Sequence, residues 1–446
     1  MSFEPFNGMT PPNEWKARLV KDIAVVNERS IKKSDRIDTI QYIDIAAVNH
    51  RNIDQLQTFK LNDAPSRARR IVQDNDILIS TVRPNLKHYT MIRKAEPDMI
   101  ASTGFAVISP KRVHPDFLYY YLTSDSYTRY LTQIAEGQTS AYPAFNSDII
   151  ENTVIYLPPE NEQCEIGEML ASVDKKIELN NAINKNLEEM AQALFKRWFV
   201  DFEFPNENGE PYKSSGGEFE ESELGLIPKN WKLGTISDLG EVAGGATPSK
   251  KNEDFYTARG IPWITPKDLS KINNKYISRG EIDITQKGFS NSSVKLLPKG
   301  TVLFSSRAPI GYIAIAKNEV TTNQGFKSVI PFKHVGSEFV YYLLKSNVET
   351  IESRASGSTF KEISGAEMKR VPVLIPTEDV LAKFNDIVEP IGRLTQKCEE
   401  ENEDLTQLRD TLLPKLMSGE IRVPVERDNS ATDLPKVAES NAIYQP

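Results

Sequence analysis

The residues most able to do chemistry in this chain are basic and polar side chains in two matched pairs of loops. One pair follows two similar apolar runs, ILIS from Ile77 and VLFS from Val302, and the other begins at Gly137 and Gly357. Arg and Gln side chains recognise base edges, whereas Ser, Thr and Lys bind phosphates. We therefore predict base or phosphate contacts from these loop residues: Arg83, Lys87, Gln138, Thr139, Tyr142, Ser305, Ser306, Arg307, Ser358, Thr359 and Lys361.

A structural role competes with this interpretation at every position. Ser and Thr often cap strand ends, and arginines often form surface ion pairs, so for any single residue the structural role is at least as common. The recurrence of both loops at matched places is what favours binding. For the tyrosines of FLYYYL (from Phe117), core packing is favoured over stacking on bases, since they lie in an apolar segment.

The charge distribution supports a polyanion as the ligand, although the net charge of the chain is −8. Residues 1–150 carry 19 Lys and Arg against 17 Asp and Glu, and residues 231–370 carry 20 against 13. The acidic excess lies in residues 151–230, with 7 against 17, and in residues 371–446, with 8 against 15. Because the local field governs attraction of a polyanion, the basic segments are the candidate binding regions.

Signatures of catalysis and of metal binding are absent from the sequence. It contains no GxxxxGK[ST] phosphate loop, no HExxH motif and no Asn-Pro-Pro-aromatic or Asp-Pro-Pro-aromatic motif of amino-methyltransferases. His50, His88, His114 and His334 lack ligand spacing, so we expect no metal site and no cofactor. Cys164 and Cys398 are too few for a disulfide framework, which favours the reducing cytoplasm. We therefore expect the chain to be a binding protein and not an enzyme.

The elements that must position these loops occur twice. Trp15-Lys16 returns as Trp231-Lys232, Thr103-Gly104-Phe105 as Gln324-Gly325-Phe326, and FLYYYL as FVYYLL from Phe339. The offset between matched segments starts at 216 (231−15), reaches 225 (302−77) and settles at 218 (376−158). Order is preserved throughout, so the chain contains a duplicated module with loop insertions. Short apolar runs, turn residues and a helical pattern over Ser124–Ile134 predict an α+β module.

A long helix with a heptad seam follows each module. The seam residues lie at alternating steps of four and three, with an offset of 218 between helices. We predict that the two helices pair antiparallel, with Asn180 and Asn184 opposite Thr395, Cys398 and Asn402. The alternative is that each helix packs only on its own module. Pro390, Gly392 and Pro414 are positions at which we expect the second helix to kink.

These patterns divide the chain into six segments. We predict an α+β domain at residues 1–157, a helical spacer at 158–201, an extended linker at 202–229, a second α+β domain at 230–376, a second helical spacer at 377–419, and a disordered tail at 420–446.

Four strings make the chain resemble the specificity subunit of Type I restriction–modification systems, over essentially its whole length. They are Val173–Pro205 (VDKKIELNNAINKNLEEMAQALFKRWFVDFEFP), Asn208–Trp231, Ser305–Ile315 (SSRAPIGYIAI) and Gly357–Ser364 (GSTFKEIS). The resemblance implies two target-recognition domains that each read one half of an asymmetric double-stranded DNA site, with the helices setting the distance.

The same resemblance implies partners. Two modification subunits would carry S-adenosylmethionine and methylate adenine, and restriction subunits would use ATP and Mg²⁺. We expect apolar helix residues to face a modification subunit: Leu187, Met190, Phe195 and Trp198. Two other functions stay open at this point. One is the DNA-recognition part of a combined methyltransferase–nuclease, and the other is a coiled-coil scaffold that does not bind DNA.

Overall fold

The protein folds into two units. The computed structural model describes residues 11–423 except 33, 34, 36, 50, 55, 139–141, 224 and 358–360, and the side chain of Gln138 is also left undescribed. Unit 1 combines the residues up to 176 with those from 405 onward, and unit 2 consists of residues 177–404. Both divisions fall inside a long helix.

Unit 1 contains two four-stranded sheets with the orders β6-β3-β10-β7 and β2-β11-β8-β9. Its strands are β1 Lys16–Leu19, β2 Ala24–Val26, β3 Thr39–Ile43, β4 Val48–Asn49, β5 Asn52–Ile53, β6 Gln57–Lys60, β7 Ala68–Ile71, β8 Ile77–Ser80, β9 Tyr89–Met91, β10 Met99–Ser102, β11 Phe105–Pro110 and β12 Val154–Leu157. Its helices are α1 Val20–Ile23, α2 Pro115–Leu122, α3 Asp125–Gln138, α4 Asp148–Glu151 and the first part of α5 Glu160–Phe199.

Unit 2 contains a five-stranded sheet with the order β16-β24-β21-β22-β19. Its strands are β13 Phe219–Ser222, β14 Gly225–Pro228, β15 Lys232–Thr235, β16 Gly240–Gly244, β17 Tyr256–Thr257, β18 Trp263–Ile264, β19 Tyr276–Ile277, β20 Asp283–Ile284, β21 Val302–Ser306, β22 Ile310–Ala316, β23 Thr321–Thr322, β24 Lys327–Pro331 and β25 Pro372–Ile375. Its helices are α6 Pro266–Leu269, α7 Gln286–Ser290, α8 Ser337–Ser346, α9 Val348–Ser353, α10 Gly365–Lys369 and most of α11 Glu378–Met417.

The central strand of each unit is buried on both faces, which explains its continuous apolar sequence. In β8, Ile77 and Ile79 pack into one hydrophobic cluster and Leu78 into another. In β21, Val302 and Phe304 likewise pack into one cluster and Leu303 into another. Successive side chains of a strand point to opposite faces of the sheet. A hydrophobic cluster therefore covers each face of both strands.

The tyrosine-rich repeats are core helices. FLYYYL lies in α2 and FVYYLL in α8, where all the tyrosines are buried. The preference for core packing over base stacking is therefore confirmed. The helical pattern over Ser124–Ile134 is confirmed as well, since α3 covers it.

The duplication is visible in the backbone. The pair β1–β12 is antiparallel with Lys16 opposite Leu157, and β15–β25 is antiparallel with Lys232 opposite Ile375. Arg83 and Ala308 are equivalent residues at an offset of 225, and both have left-handed backbone, with φ of 48° and 52°. A non-glycine residue rarely adopts that conformation, so its recurrence marks the same loop built twice.

The two long helices run antiparallel within each unit. In unit 2, the Asn180 amide donates hydrogen bonds of 2.9 Å to Asn402 and to Glu401. Phe195 and Trp198, near the end of α5, contact Phe384 near the beginning of α11. In unit 1, Arg409 donates a hydrogen bond of 2.7 Å to Asp174. The predicted pairing of Asn180 with Asn402 is thus confirmed, and α11 is assigned as helix without a break across Pro390, Gly392 and Pro414.

The described residues of the segment 202–229, which exclude residue 224, are folded, although their composition predicts an extended linker. The Phe204 ring stacks on Trp231 at 5.1 Å and on Tyr212 at 4.5 Å between centroids. Strands β13 and β14 pair antiparallel in the same segment. Aromatic contacts of Phe202 and Phe204 with Trp231 therefore hold this segment in place within unit 2.

The predicted disordered tail begins with ordered residues. Val423 is buried, and Arg422 donates a hydrogen bond of 2.9 Å to Glu162. Residues 424–446 lie outside the described part of the chain. Within that part, no helix has both the length and the apolar character to cross a membrane.

Candidate nucleic-acid interface

The two predicted loops of unit 1 lie against each other. The backbone N–H of Arg83 donates a hydrogen bond of 2.8 Å to Pro143, and Val82 forms a β-bridge with Ala144. The Arg83 guanidinium lies 5.1 Å from the centroid of the Tyr142 ring. Tyr142 is 70 % exposed, so this cation–π pair presents both a positive charge and an aromatic face to solvent.

Lys87 lies at the other end of the same loop. Its ammonium group is 2.7 Å from Asp125, which begins α3. Lys87 also lines a cleft of about 330 Å³ together with Asn85, Arg129 and Gln133. Because Lys87 and Asp125 are both solvent-accessible, their ion pair contributes little stability, and phosphate could replace the carboxylate.

The matched loops of unit 2 are joined in the same way. Arg307 forms a β-bridge with Glu362, the counterpart of the Val82–Ala144 bridge in unit 1. The Ser306 N–H donates to Gly325, as the Thr81 N–H donates to Gly104. The two loops therefore lie against each other in both units.

Arg307 lines a cleft of about 630 Å³ in unit 2. The cleft is also lined by aromatic, basic and amide side chains: Tyr256, Trp263, Lys250, Lys267, Asn323 and Gln324. The Arg307 guanidinium is 3.2 Å from Glu362, and both side chains are partly exposed. Lys361, which is exposed, lies 3.9 Å from Glu352. Guanidinium, amide and aromatic groups around one concave surface suit the recognition of base edges.

Ser305 and Ser306 do not contribute to a binding surface. Both residues are 0 % exposed. The Ser305 hydroxyl donates to the Pro309 carbonyl at 2.8 Å and accepts from the Tyr312 N–H at 2.8 Å. The Ser306 hydroxyl accepts a hydrogen bond of 3.4 Å from Lys327. The predicted DNA contacts are wrong for these two residues, because both side chains are buried and the Ser305 hydroxyl holds the turn that follows Arg307.

Three predicted contacts and one side chain cannot be placed. Thr139, Ser358 and Thr359 lie outside the described residues. Gln138 ends α3, but its side chain is not described. The prediction that these four residues contact DNA stays a prediction.

Two of the four predicted partner-binding residues are core residues. Phe195 and Trp198 are buried, and the Phe195 ring packs against Phe339 and Tyr342. Their assignment to a partner surface is wrong, because the aromatic end of α5 completes the core of unit 2. Met190 is 60 % exposed and Leu187 is half-buried, so these two remain accessible.

Sequence reasoning missed several exposed basic and amide groups. Lys250, Asn323 and Gln324 line the unit 2 cleft, and Arg129 lines the smaller cleft beside Lys87. Arg67, directly before β7, and Arg69, within β7, are exposed in unit 1. The run Arg67-Ala68-Arg69-Arg70 and the pair Lys250-Lys251 were available signals. These residues lie in segments where the sequences of the two repeats differ. A comparison of matched positions between the repeats therefore does not identify them.

A buried cation on a tyrosine pair anchors each module to the long helices. In unit 1, the Arg51 guanidinium lies 5.0 Å from the Tyr120 ring centroid and 3.1 Å from Asp174. In unit 2, the Lys275 ammonium lies 4.3 Å from the Tyr342 ring centroid and also pairs with Glu338. Each unit therefore contains a buried cation–π interaction with a tyrosine, made by Arg51 in unit 1 and by Lys275 in unit 2.

The protonation of these anchors follows from burial and charge. Burial raises the pKa of Tyr120, and the Asp174 carboxylate raises it further, so the hydroxyl remains a donor. Burial alone would raise the pKa of Asp174, but Arg51, Tyr120 and Arg409 together hold that pKa below its usual range. Asp174 is therefore ionised and accepts hydrogen bonds from two arginines and one tyrosine.

Comparisons with known proteins agree on one family. A family model described as the Type I restriction modification DNA specificity domain matches residues 12–189 and 228–407. The HindI specificity subunit of Haemophilus influenzae is 28% identical over 468 residues, which covers 92% of this chain and 100% of that protein. The MjaIX specificity subunit of Methanocaldococcus jannaschii is 45% identical over 193 residues, 43% of this chain and 44% of that protein.

A solved structure shows the same fold. The crystal structure of the S subunit of a Type I restriction–modification system from M. genitalium matches with a TM-score of 0.56 and 15% identity. The match covers 92% of this chain and 99% of that one. At this identity the likeness concerns the α+β fold with its two repeats.

Proposed function

Because the chain belongs to the family of Type I restriction modification DNA specificity domains, and is thus a DNA-recognition subunit, we propose that its two modules read different halves of one asymmetric DNA site. The observation that carries this proposal is a shared loop frame with different side chains. Arg83 of unit 1 is replaced by Ala308 in unit 2, and Val82 by Arg307. The backbone is repeated, but the groups available to contact bases are not.

Specificity requires groups that contact base edges, whereas phosphate contacts set affinity and register. In unit 1 the candidate base-reading group is Arg83, which is supported by the exposed Tyr142 ring. In unit 2 the candidates are Arg307 and the cleft amides Asn323 and Gln324. Lys87, which is half-buried, and the exposed Lys250 and Lys361 are assigned to phosphates, since an ammonium is a point charge without base selectivity.

We assign two modification subunits as partners of the helical region. Exposed apolar residues support a docking surface on the unit 2 part of the helices: Leu179, Met190, Ile387 and Leu394. Under this proposal S-adenosylmethionine, ATP and Mg²⁺ are bound by the modification and restriction subunits and not by this chain, and the complex acts in the cytoplasm.

Coexpression of the chain with its modification subunits tests the proposal. Sequencing of modified bases should show methylated adenine at one two-part DNA sequence. Removing this chain should abolish methylation at that sequence, while a control lacking only the restriction subunit should retain it. Methylation of the same sites without this chain would contradict a recognition role.

A further inference from the structure

Three potential metal ligands meet in unit 1, and none of them belongs to the two loops predicted to contact DNA. His114 directly precedes α2, and Cys164 and Glu168 lie one turn apart near the start of α5. The donor atoms of these three side chains all lie within 4.8 Å of one another. The sequence predicts no metal site here because His114 and Cys164 are separated by 50 residues (164−114) and share no motif.

The fold holds the imidazole of His114 against the helix. The His114 backbone N–H donates a hydrogen bond of 3.0 Å to the side chain of Gln163, which is anchored by its own bond of 2.9 Å to Pro158. A Cβ atom at Gly167 would lie only 2.8 Å from His114 Nδ1. Glycine at this position therefore provides the space that the ring occupies.

The His114 nitrogen that faces this helix is buried and has no hydrogen-bond partner among the described residues. A buried polar atom left unpaired costs free energy and calls for an explanation, such as a bound ion. Positions 164, 167 and 168 share one helix face, because residues three and four apart are neighbours on a helix surface. The unpaired nitrogen therefore faces Gly167, which neighbours Cys164 and Glu168 on that helix face.

We infer that His114, Cys164 and Glu168 form a binding site for a thiophilic divalent cation of the Zn²⁺ class. Nitrogen, sulfur and carboxylate oxygen are the ligands that Zn²⁺ takes in proteins, and a water molecule completes four-coordination when the protein supplies three. The Cys164 thiol donates to Glu168 at 3.3 Å. Metal binding would replace that proton, which is released to solvent, and would leave a thiolate and a carboxylate on the cation.

A cation at this site would join the start of α5 to the segment before α2. It would therefore stabilise unit 1, because a ligand that binds the folded state and not the unfolded state shifts the unfolding equilibrium. The role is structural and does not depend on which DNA sequence the chain recognises. The competing interpretation is a plain Cys164–Glu168 hydrogen bond with no ion.

Titration of the untagged full-length chain with Co²⁺, after removal of metals by a chelator, tests the site. We expect one equivalent to produce a thiolate-to-cobalt charge-transfer band and to raise the Tm. Cys164→Ser should lose the band, whereas Cys398→Ser, which changes the other cysteine, should keep it. His114→Asn should weaken Co²⁺ binding at least about tenfold, and the control His334→Asn should not.

A band that survives Cys164→Ser, or no binding at one equivalent of Co²⁺, would overturn the site. Glu168→Gln keeps the test decisive if the cysteine variant does not fold, because Glu168 is exposed and its replacement leaves the core intact. Weaker Co²⁺ binding by Glu168→Gln, with an unchanged Tm in chelator, supports the site. Unchanged binding by this variant refutes the ligand set.

Discussion

Asp174 in the first long helix and Gly392 in the second occupy equivalent positions of the repeat, at the offset of 218 (392−174). In unit 1, the Asp174 carboxylate accepts a hydrogen bond of 2.6 Å from Tyr120. In unit 2, a Cβ atom at Gly392 would collide with Glu338 and Tyr276. The carboxylate thus comes from the helix in one unit and from the module in the other, and glycine provides the space for it.

Asp174→Ala should destabilise the chain by about 3–5 kcal/mol, because it leaves two buried arginines without their shared counter-charge. Lys175→Ala, at an exposed neighbouring position, should change stability by less than about 0.5 kcal/mol. Chemical denaturation of both variants checks the difference. Equal stability of the two variants would show that the Asp174 cluster does not anchor the module.

Glu399 should make stability depend on pH. Burial raises the pKa of Glu399 to about 7, although the backbone N–H groups of Lys275 and Tyr276 donate to it. A carboxyl with a raised folded-state pKa binds more protons folded than unfolded, so its stabilising contribution is lost as the pH rises from about 4.5 to about 7. Glu399→Gln should remove this loss. The measurement is Tm at pH 5.5 and pH 8 for both proteins, and an identical pH dependence would exclude the effect.

Asn180 and Asn402 should set the register of the helix pair. Asn180→Leu removes the donor to the side-chain oxygen of Asn402 and should cost about 1–3 kcal/mol. The double variant Asn180→Leu/Asn402→Leu should recover most of that loss, because two apolar groups then face each other. A double-mutant cycle from denaturation measures the coupling. Strictly additive effects would contradict a direct interaction.

The helices should determine the spacer between the two half-sites. Four residues inserted between Asn181 and Ala182, and four between Glu400 and Glu401, lengthen each helix by about 6 Å. DNA rises about 3.4 Å per base pair, so the preferred spacer should grow by about one or two base pairs. Mapping of methylated adenines checks this. An unchanged spacer with unchanged half-sites would show that the helices do not set the distance.

The repeat, the α+β class and the paired helices follow from the sequence because they rest on periodic apolar positions. The central strands β8 and β21 and the polar Asn180–Asn402 contact are examples. The surface chemistry follows less well. The sequence suggests that Ser305 binds phosphate, but its hydroxyl donates a hydrogen bond to the Pro309 carbonyl within a turn. Such a role depends on backbone geometry, which composition does not contain.

The aromatic residues show the same limit. Trp198 lies on an amphipathic helix that needs a covering partner, and the sequence does not say whether the partner is another chain or this one. The structure shows that the core of unit 2 covers it, with Phe384 in contact. The buried ion pairs also could not be predicted from matched positions. Asp174 and Gly392 are equivalent in the repeat, but Asp174 supplies a carboxylate whereas Gly392 leaves space for the carboxylate of Glu338.

The most direct test of the account is a map of methylated adenines in cells that carry Arg83→Ala or Arg307→Ala. Loss of a base contact should cost about 1–3 kcal/mol at one base position. We predict that Arg83→Ala relaxes the sequence of one half-site only and that Arg307→Ala relaxes only the other. If either variant alters both halves, or weakens methylation evenly at all sites, the two modules do not read the two halves through these loops.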